Sequence, residues 1–275
     1  MIAIAKEHEF LVCIDSDGTI MDTMRSKHET AFGPCFLDVF GIKEHRDEIL
    51  NEWLSDNLYR KTRGINRFQG LDRILAFSSK FGYVFPGYDE YHKWVVSTPK
   101  FDVSLLKQAC QAAKSKKCME LALLWSSEVN KTIAAMREAK PFDNVVDDLR
   151  LLSREVDLLG VSSANPAAVN EEWTRLGIKT LFKEVGCQDK GSKATIIKEG
   201  LANGYDPKKT VMMGDALGDY DAAVSAGVLF FPILPRHESE SWTKFVYDAL
   251  PRLLNGRYDE EYQQKLLSEF LSSLE

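Results

Sequence analysis

The sequence predicts an α/β protein with a doubly wound parallel sheet and an all-helical domain inserted after the first strand. After about residue 140, short apolar runs alternate with segments of helical periodicity, a pattern typical of βαβ units. From Met24 to Ala139, apolar residues instead recur at helical spacing with few breakers, which predicts a helical module. We therefore expect a discontinuous α/β core, residues 1–23 and 140–275, and a helical domain, residues 24–139.

The first predicted strand is FLVCI, residues 10–14, a continuous apolar run of the kind buried on both faces of a parallel sheet. VDLLGV, TVMMG and VLFFPIL are similar runs, and TLFKEVG is a weaker one. Asn165 can cap one of the intervening helices and Pro166 suits its first turn, while Ser192 can cap the next. The tail, ALPRLLNGRYDEEYQQKLLSEFLSSL, is predicted to form one or two amphipathic helices on the core.

Two stretches of the insertion, YRKTRGINRF and FGYVFPGYDEYHKW, are rich in Gly, aromatic residues and turn formers, which predicts loops. Arg63 and Arg67 in the first stretch are candidates for contact with an acidic substrate, although charged runs usually form solvated faces. The large rings of the insertion are expected to fill its core: His28, Trp53, Trp94 and Trp125.

The composition, 44% hydrophobic and 28% charged, is ordinary for a soluble enzyme. A formal net charge of −6 provides no attraction to nucleic acid. No stretch approaches the roughly 20 apolar residues of a membrane span, and the first residues lack a signal-peptide pattern. The five cysteines include no CxxC pair, which fits reduced thiols. We expect a cytoplasmic protein with neither nucleic-acid nor membrane partners; the oligomeric state is not predicted.

Polar side chains follow three of the predicted strands, at what would be one edge of a parallel sheet: Asp15 and Asp17, Ser162 and Ser163, and Asp215 and Asp219. Carboxylates about 4 Å apart repel by on the order of 1 kcal/mol in water and about 4 kcal/mol at an effective dielectric of 20, so a cation is required. Oxygen ligands without Cys or His favour Mg²⁺ over zinc. A carboxylate-held dication in turn indicates an anionic oxygen substrate, of which phosphate is the usual one.

The spacing of Asp15 and Asp17 fits phosphoryl transfer, because residues two apart on an extended strand end point the same way. Asp15 would attack phosphorus and form an aspartyl phosphate. Asp17 would protonate the leaving alkoxide and then activate the hydrolytic water. Gly18 lets the backbone turn and approach the phosphate.

Four ordered stretches resemble the motifs of the haloacid dehalogenase-like hydrolase superfamily: DSDGTI, VSSAN, a lysine before an apolar helix, and GDALGDYDAAVSAG. The resemblance covers the core and implies a Rossmann-like fold, with the insertion as a helical cap of the superfamily's first type. It also implies site residues: nucleophile Asp15, acid/base Asp17, phosphate-binding Ser162, with Ser163 beside it, and Mg²⁺ ligation by Asp15, the Asp17 backbone, Asp215 and Asp219.

Two lysines compete for the third motif, because DKGSK contains both Lys190 and Lys193. Lys193 is favoured, since Ile196 and Ile197 follow it at +3 and +4, as after the family's lysine that opens a helix. Its ammonium would offset charge on Asp15 and on the transferring phosphoryl group.

The acid at Asp17 narrows the reaction, because the superfamily's dehalogenases, phosphonatases and ATPases lack it and an oxygen leaving group needs a proton. The sequence thus favours a Mg²⁺-dependent phosphatase acting on a small phosphorylated metabolite. The alternatives are a phosphomutase similar to β-phosphoglucomutase, which returns the phosphoryl group to a sugar, and a catalytically silent metabolite- or protein-binding member. Caps of this type exclude water and read the leaving group, so the sequence does not name the substrate.

Overall fold

The structure, a computed structural model, describes residues 2–136 and 139–274. The chain divides into two compact units, one formed by Met1–Met24 and Glu138–Glu275 and the other by Arg25–Arg137. In the described part of the chain, no helix combines the length and apolarity needed to cross a membrane. All five cysteines are free thiols.

The first unit is built on five parallel strands in the order β3-β2-β1-β4-β5, which confirms the predicted α/β parallel sheet. The strands are β1 (Leu11–Ile14), β2 (Asp157–Val161), β3 (Glu184–Gly186), β4 (Thr210–Gly214) and β5 (Leu229–Pro232). Leu11 lies opposite both Asp157 and Thr210. The carboxyl ends of β1, β2 and β4 are therefore adjacent, and the polar residues that follow them share one edge.

Both faces of the sheet are covered, as a doubly wound fold requires. Val12 and Ile14 belong to one buried apolar cluster, and Leu11 and Cys13 belong to another. This is why FLVCI reads as a continuous apolar run rather than an alternating one. The weak TLFKEVG run gives only the three-residue β3, because residues Lys179–Leu181 form a short turn of 3₁₀ helix.

Over its described residues, the second unit has helices as its regular structure: α1 (Met24–Lys27, which begins in the first unit), α2 (Gly33–Val39), α3 (Arg46–Leu58), α4 (Arg67–Ser78), α5 (Tyr88–Ser97), α6 (Val103–Ala112) and α7 (Lys117–Ala135). A π-helical turn, His28–Phe32, joins α1 and α2. The ring side chains fill the core as predicted: Trp53 and Trp125 are buried edge to face with centroids 6.0 Å apart. Trp53 Nε1 donates to His28 Nδ1 at 3.1 Å.

The loop prediction for FGYVFPGYDEYHKW is wrong in its second half, where α5 begins at Tyr88. Gly87 starts the helix with φ +84°. The acidic residues Asp89 and Glu90 suit the first turn because they complement the helix dipole. YRKTRGINRF is non-helical up to Asn66, whose side chain accepts from Phe68 N and caps α4.

The first unit completes its fold with α8 (Val145–Leu152), α9 (Pro166–Arg175), α10 (Lys193–Leu201), α11 (Leu217–Ala226), α12 (Glu238–Lys244), α13 (Leu250–Leu254) and α14 (Glu260–Ser273). Two predicted caps are confirmed. Asn165 accepts from Ala167 N ahead of Pro166, and Ser192 accepts from Thr195 N. The amphipathic tail forms α13 and α14, and α14 buries Tyr262, Leu266 and Phe270.

Candidate active site

Three buried carboxylates meet at the carboxyl edge of the sheet. Asp15 directly follows β1, Asp215 follows β4, and Asp219 lies in the first turn of α11. One oxygen of each lies within 4.8 Å of an oxygen of the other two. The residues are 6%, 2% and 0% exposed, respectively. Groups from parts of the chain about 200 residues apart are thus brought into one small, buried space.

Lys193 is the cation of this cluster. It is the first residue of α10, and its Nζ lies 2.9 Å from Asp15 Oδ1 and 2.5 Å from Asp219 Oδ1. Lys190, the other candidate, is exposed on the short 3₁₀ turn Gln188–Lys190. Of the two, Lys193 reaches the carboxylates.

The electrostatics of the cluster call for more positive charge than one lysine supplies. Burial raises the pKa of Asp15, repulsion from Asp219 and Asp215 raises it further, and Lys193 only partly opposes this. Burial also raises the pKa of Asp219. Conversely, burial opposes the charge of Lys193, but the two carboxylates it contacts raise its pKa overall. Three buried acids beside the ammonium of Lys193 make a site that suits a divalent, oxygen-preferring cation.

Two glycines make this crowding possible. Gly18 has φ +81°, and a Cβ there would lie 2.2 Å from Asp215 Oδ2. A Cβ on Gly214 would lie 2.2 Å from Asp219 Cγ. Any side chain at either position would displace a cluster carboxylate, so both glycines belong to the construction of the site.

Asp17 is half-buried, and its carboxylate is outside the three-carboxylate group found among the described residues. Its Oδ1 instead accepts a hydrogen bond from Thr23 Oγ1 at 2.5 Å. The structure therefore gives the four predicted acids two different environments. Thr23 was not predicted as a site residue, because a lone threonine six residues beyond Asp17 carries no distinctive signal.

The two serines after β2 differ in accessibility. Ser162 is buried, its Oγ accepts from Ala164 N at 3.1 Å, and its own N donates to Gly186 O at 2.9 Å. Ser163 is exposed. Ser162 is thus fixed at the end of the strand beside β1, whereas Ser163 faces the surface.

Two tryptophans that the sequence analysis did not single out hold the loop after β1. Trp173 Nε1 donates to Ser16 Oγ at 3.2 Å, and Trp242 Nε1 donates to Thr19 O at 2.7 Å. The hydroxyl of Thr19 in turn donates to Asp215 Oδ1 at 3.3 Å. Trp242 lies in α12, so a helix beyond the last strand helps to position the loop that carries Asp17.

The candidate arginines are built into the helical unit. Arg63 is buried, and its guanidinium donates to Leu58 O at 2.7 Å. Arg67 donates to Asn130 Oδ1 at 2.7 Å and to Ser126 Oγ at 3.3 Å. Burial lowers the pKa of Arg67, which is consistent with a guanidinium held by neutral oxygens. Both arginines thus have structural contacts within their own unit.

Comparison with protein families identifies a match over residues 98–233 to the model described as haloacid dehalogenase-like hydrolase. The matched segment contains Ser162, Lys193, Asp215 and Asp219, whereas Asp15 and Asp17 precede it. Comparison with curated protein sequences gives no match.

Solved structures share the fold at low sequence identity. A candidate phosphoglycolate phosphatase from Lactobacillus delbrueckii subsp. bulgaricus superposes with a TM-score of 0.53 at 16% identity, covering 82% of this chain and 86% of its own. A haloacid dehalogenase-like protein from Agrobacterium tumefaciens superposes with a TM-score of 0.53 at 14% identity, covering 92% of this chain and 100% of its own. A candidate phosphatase from Clostridium difficile superposes with a TM-score of 0.50 at 18% identity, covering 86% of this chain and 92% of its own. The family match over residues 98–233 and these shared folds agree with the resemblance of the ordered motifs to the haloacid dehalogenase-like hydrolase superfamily.

Proposed function

We propose that this hydrolase is a Mg²⁺-dependent phosphatase that acts on a small phosphorylated metabolite, in the cytoplasm, through an aspartyl phosphate. The observation that carries the proposal is the cluster of the buried carboxylates of Asp15, Asp215 and Asp219. The ammonium of Lys193 contacts Asp15 and Asp219. Such a cluster suits a hard dication and, with it, a phosphoryl group.

The residues present fit Mg²⁺. Asp15 and Asp215 would supply carboxylate oxygens, and the resemblance adds the backbone carbonyl of Asp17. Asp219 already accepts hydrogen bonds on both oxygens, from Lys193 Nζ at 2.5 Å and from Ala216 N at 3.1 Å. We therefore assign Asp219 first to positioning Lys193 and second to the metal. When bound, Mg²⁺ would supply positive charge that stabilises the phosphoryl oxygens.

In the first step, a carboxylate oxygen of Asp15 forms a bond to phosphorus while the bond from phosphorus to the ester oxygen breaks. Asp17 gives its proton to that leaving oxygen, which departs as an alcohol. In the second step, Asp17 takes a proton from water, and the water oxygen attacks phosphorus. Asp15 is released as a carboxylate, and the phosphoryl group leaves as inorganic phosphate.

Three further side chains would support these steps. Lys193 holds Asp15 and adds positive charge beside the phosphoryl oxygens. The Ser162 hydroxyl, fixed at the end of β2, would donate to one of those oxygens. Thr23 fixes the carboxylate of Asp17 through the 2.5 Å hydrogen bond, so that the acid is aligned for proton transfer.

We assign substrate recognition to the helical region, residues 24–139, as the cap domain that the resemblance implies. In superfamily members with such caps, the cap reads the leaving group. The chemistry of transfer would then belong to the α/β unit, and the identity of the metabolite to the helical one.

A phosphate-release screen with Mg²⁺ across sugar phosphates, nucleotides and phosphorylated acids, with p-nitrophenyl phosphate as a general substrate, tests the proposal. We expect release that EDTA abolishes and that Asp15→Asn removes. Unchanged turnover in Asp15→Asn would eliminate Asp15 as nucleophile. No release from any substrate would favour a silent binding member, and halide release from a haloacid would favour a dehalogenase.

The role of Asp17 is tested by the leaving group. Asp17→Asn should slow an alkyl phosphate far more than p-nitrophenyl phosphate, because p-nitrophenolate departs without a proton. Equal slowing of both substrates, together with weaker Mg²⁺ binding, would instead make Asp17 a metal-site residue. Incubation with a sugar bisphosphate distinguishes a phosphomutase, which would give an isomerised product with little free phosphate.

A further inference from the structure

A cavity of about 440 Å³ lies at the β3 side of the sheet, lined by residues of α9, of β3 and of the 3₁₀ turn Gln188–Lys190. Its inner wall is apolar and includes Val169, Trp173, Phe182 and Cys187, all buried. The rings of Trp173 and Phe182 have centroids 4.5 Å apart. A volume of this size with an apolar wall is typical of small-molecule sites.

The mouth of the cavity favours a single negative charge. Pro166 and Ala167, at the positive end of the α9 dipole, form part of it. Lys179 is held there by the neutral side-chain oxygen of Asn170, so its charge is not neutralised. Three lysines and two acidic residues line the cavity in all, but the ammonium of Lys183 is paired with Glu7 and lies near Asp157. The positive charge at the mouth therefore comes from Lys179 and from the amino end of α9. This balance suits one anionic group rather than several.

The cavity also touches two segments that position the carboxylate cluster. Trp173, in its wall, donates its Nε1–H to Ser16 Oγ at 3.2 Å, and Ser16 lies between Asp15 and Asp17. Cys187 and Lys190, also in the lining, belong to the segment that leads into α10 and Lys193. A molecule that moved Trp173 or this segment would therefore disturb the contacts of the nucleophile and of its lysine.

We propose that this cavity is an effector site for a small amphipathic anion, with a flat apolar body against Trp173 and Phe182 and one carboxylate, sulfonate or phosphate at the mouth. Its occupation shifts Trp173 away from Ser16 and lowers turnover. The proposed binding of an anion rests on the cavity alone, whereas the proposed inhibition rests on the proposed phosphatase function.

Binding is tested with 8-anilinonaphthalene-1-sulfonate, a flat aromatic sulfonate whose fluorescence rises in apolar surroundings. Ala167→Trp fills the mouth from an exposed position and should weaken binding about tenfold or more. Ala168→Trp is the matched control, since Ala168 is exposed but outside the lining, and it should bind as the unmodified chain does. Equal affinity in the unmodified chain and in Ala167→Trp would overturn the site.

The anionic preference is tested with N-phenyl-1-naphthylamine, the uncharged analogue of the same probe. Lys179→Gln should weaken the sulfonate and leave the neutral analogue unchanged. Equal weakening of both probes, or of neither, would contradict the assigned charge recognition.

The coupling is tested by phosphate release from the best substrate of the screen, with the sulfonate present at saturation. We expect kcat to fall about fivefold, in the range of ordinary allosteric coupling, with KM little changed.

Trp173→Phe keeps the apolar wall but removes the donor to Ser16, so this variant should bind the probe and lose the inhibition. A purely competitive effect, or inhibition that survives in Trp173→Phe, would overturn the coupling. If the chain releases no phosphate at all, the proposed function fails, and the fluorescence titration still decides the site.

Discussion

Buried aspartates lie at both ends of the same sheet, and the two ends treat them differently. Asp157 begins β2 at the amino edge, opposite Leu11. Asp15, Asp215 and Asp219 form their cluster at the carboxyl edge. Every one of these residues is at most 6% exposed, so burial alone does not distinguish the two ends.

The two ends of the sheet differ in the hydrogen-bond donors that surround their aspartates. Asp157 Oδ2 accepts from Tyr205 OH at 2.6 Å, from His8 N at 2.8 Å and from Glu7 N at 2.9 Å. Burial opposes ionisation, but these donors together lower the pKa of Asp157. Lys183 adds its ammonium 3.5 Å from Oδ1 and 2.6 Å from Glu7 Oε2. The amino-edge acid is thus stabilised as an anion by the protein itself.

At the carboxyl edge, the protein leaves the charge incompletely balanced. Burial and mutual repulsion raise the pKa of Asp15, and burial raises that of Asp219, despite Lys193. The difference suggests a criterion for telling an acid with a structural role from one with the proposed functional role in the same fold. For Asp157, three donors to Oδ2 and an ammonium near Oδ1 favour the anion, although Oδ1 itself accepts no hydrogen bond from the described residues. The carboxyl-edge cluster would still gain from a positively charged ligand.

The largest effect is expected from a substitution of Asp15, which should change activity and stability in opposite directions. Asp15→Asn should reduce phosphate release at least about 10³-fold, since it removes the proposed nucleophile. It should also raise the melting temperature of the metal-free protein, because one of three repelling carboxylates becomes neutral. Asp221→Asn, on an exposed position of α11, is the control for both measurements. A melting temperature that falls in Asp15→Asn would show that the cluster is structural, like Asp157.

Mg²⁺ is expected to stabilise the protein by binding the carboxyl-edge acids and not the acids at the amino edge. At a concentration of about 100 times its Kd, Mg²⁺ should add about 2.7 kcal/mol to the free energy of unfolding, measured by thermal denaturation with and without EDTA. Asp215→Asn should lose this gain. Glu7→Gln should keep it, although Glu7, His8 and Asp157 also bring potential ligand atoms within 4.8 Å of one another, because Lys183 already supplies a cation there. Loss of the gain in Glu7→Gln would mean that the amino edge binds the metal.

Gly18→Ala tests whether the crowding at the carboxyl edge depends on close backbone approach. The new methyl group would overlap Asp215 Oδ2, so we expect a loss of about 10² in kcat/KM, of the order caused by a displacement of about 1 Å. Gly204→Ala is the control, because Gly204 also has a positive φ, +92°, but no atom within 4 Å of the added Cβ. Both variants bear the strain of a left-handed alanine, and only Gly18→Ala should lose activity. Equal losses in activity would make backbone strain the cause.

The carboxyl edge was largely predictable from the sequence, because parallel strands place their following residues on one edge whatever their separation in the chain. Apolar runs of strand length identified β1, β2, β4 and β5, and the acids after them identified the cluster. Lys193 was favoured over Lys190 from the apolar pair that follows it. The helix α5 was missed because aromatic and glycine residues resemble a loop until their burial is known.

The amino edge was not predictable. Asp157 begins an apolar run as any polar strand boundary would, and its partners Tyr205, Glu7 and His8 come from segments about 50 and 150 residues away. The same limit applies to Thr23 and to the two tryptophans that brace the loop after β1. Each contributes a side-chain hydrogen bond whose partner depends on how the loop after β1 folds and packs. A contact of this kind leaves no periodicity or spacing in the sequence.

Asp157→Asn should be destabilising without affecting the chemistry. The neutral amide would lose charge-assisted hydrogen bonds and place an NH₂ group among donors, so we expect a loss of about 2 kcal/mol in the free energy of unfolding. Urea denaturation measures this, and kcat measured well below the unfolding transition should stay near that of the unmodified chain. A large fall in kcat in the folded variant would place Asp157 in the functional machinery and remove the distinction between the two edges.

The smallest effect, and the sharpest test of the donor argument, is Tyr205→Phe. It removes one hydrogen bond to Asp157, and we expect a loss of about 1 kcal/mol at pH 7. Because the folded pKa of Asp157 lies below the ordinary 3.8, its ionised form contributes stability that is fully present above that value and lost as the pH falls through the folded pKa. The difference in the free energy of unfolding between Tyr205→Phe and the unmodified chain should therefore shrink below about pH 4.

Tyr258→Phe is the control, since the hydroxyl of Tyr258 donates to the backbone oxygen of Phe230 at 2.6 Å, and the effect of this substitution should not vary over this pH range. A constant difference for Tyr205→Phe would mean that the ring stabilises by packing and that donors do not set the charge of Asp157.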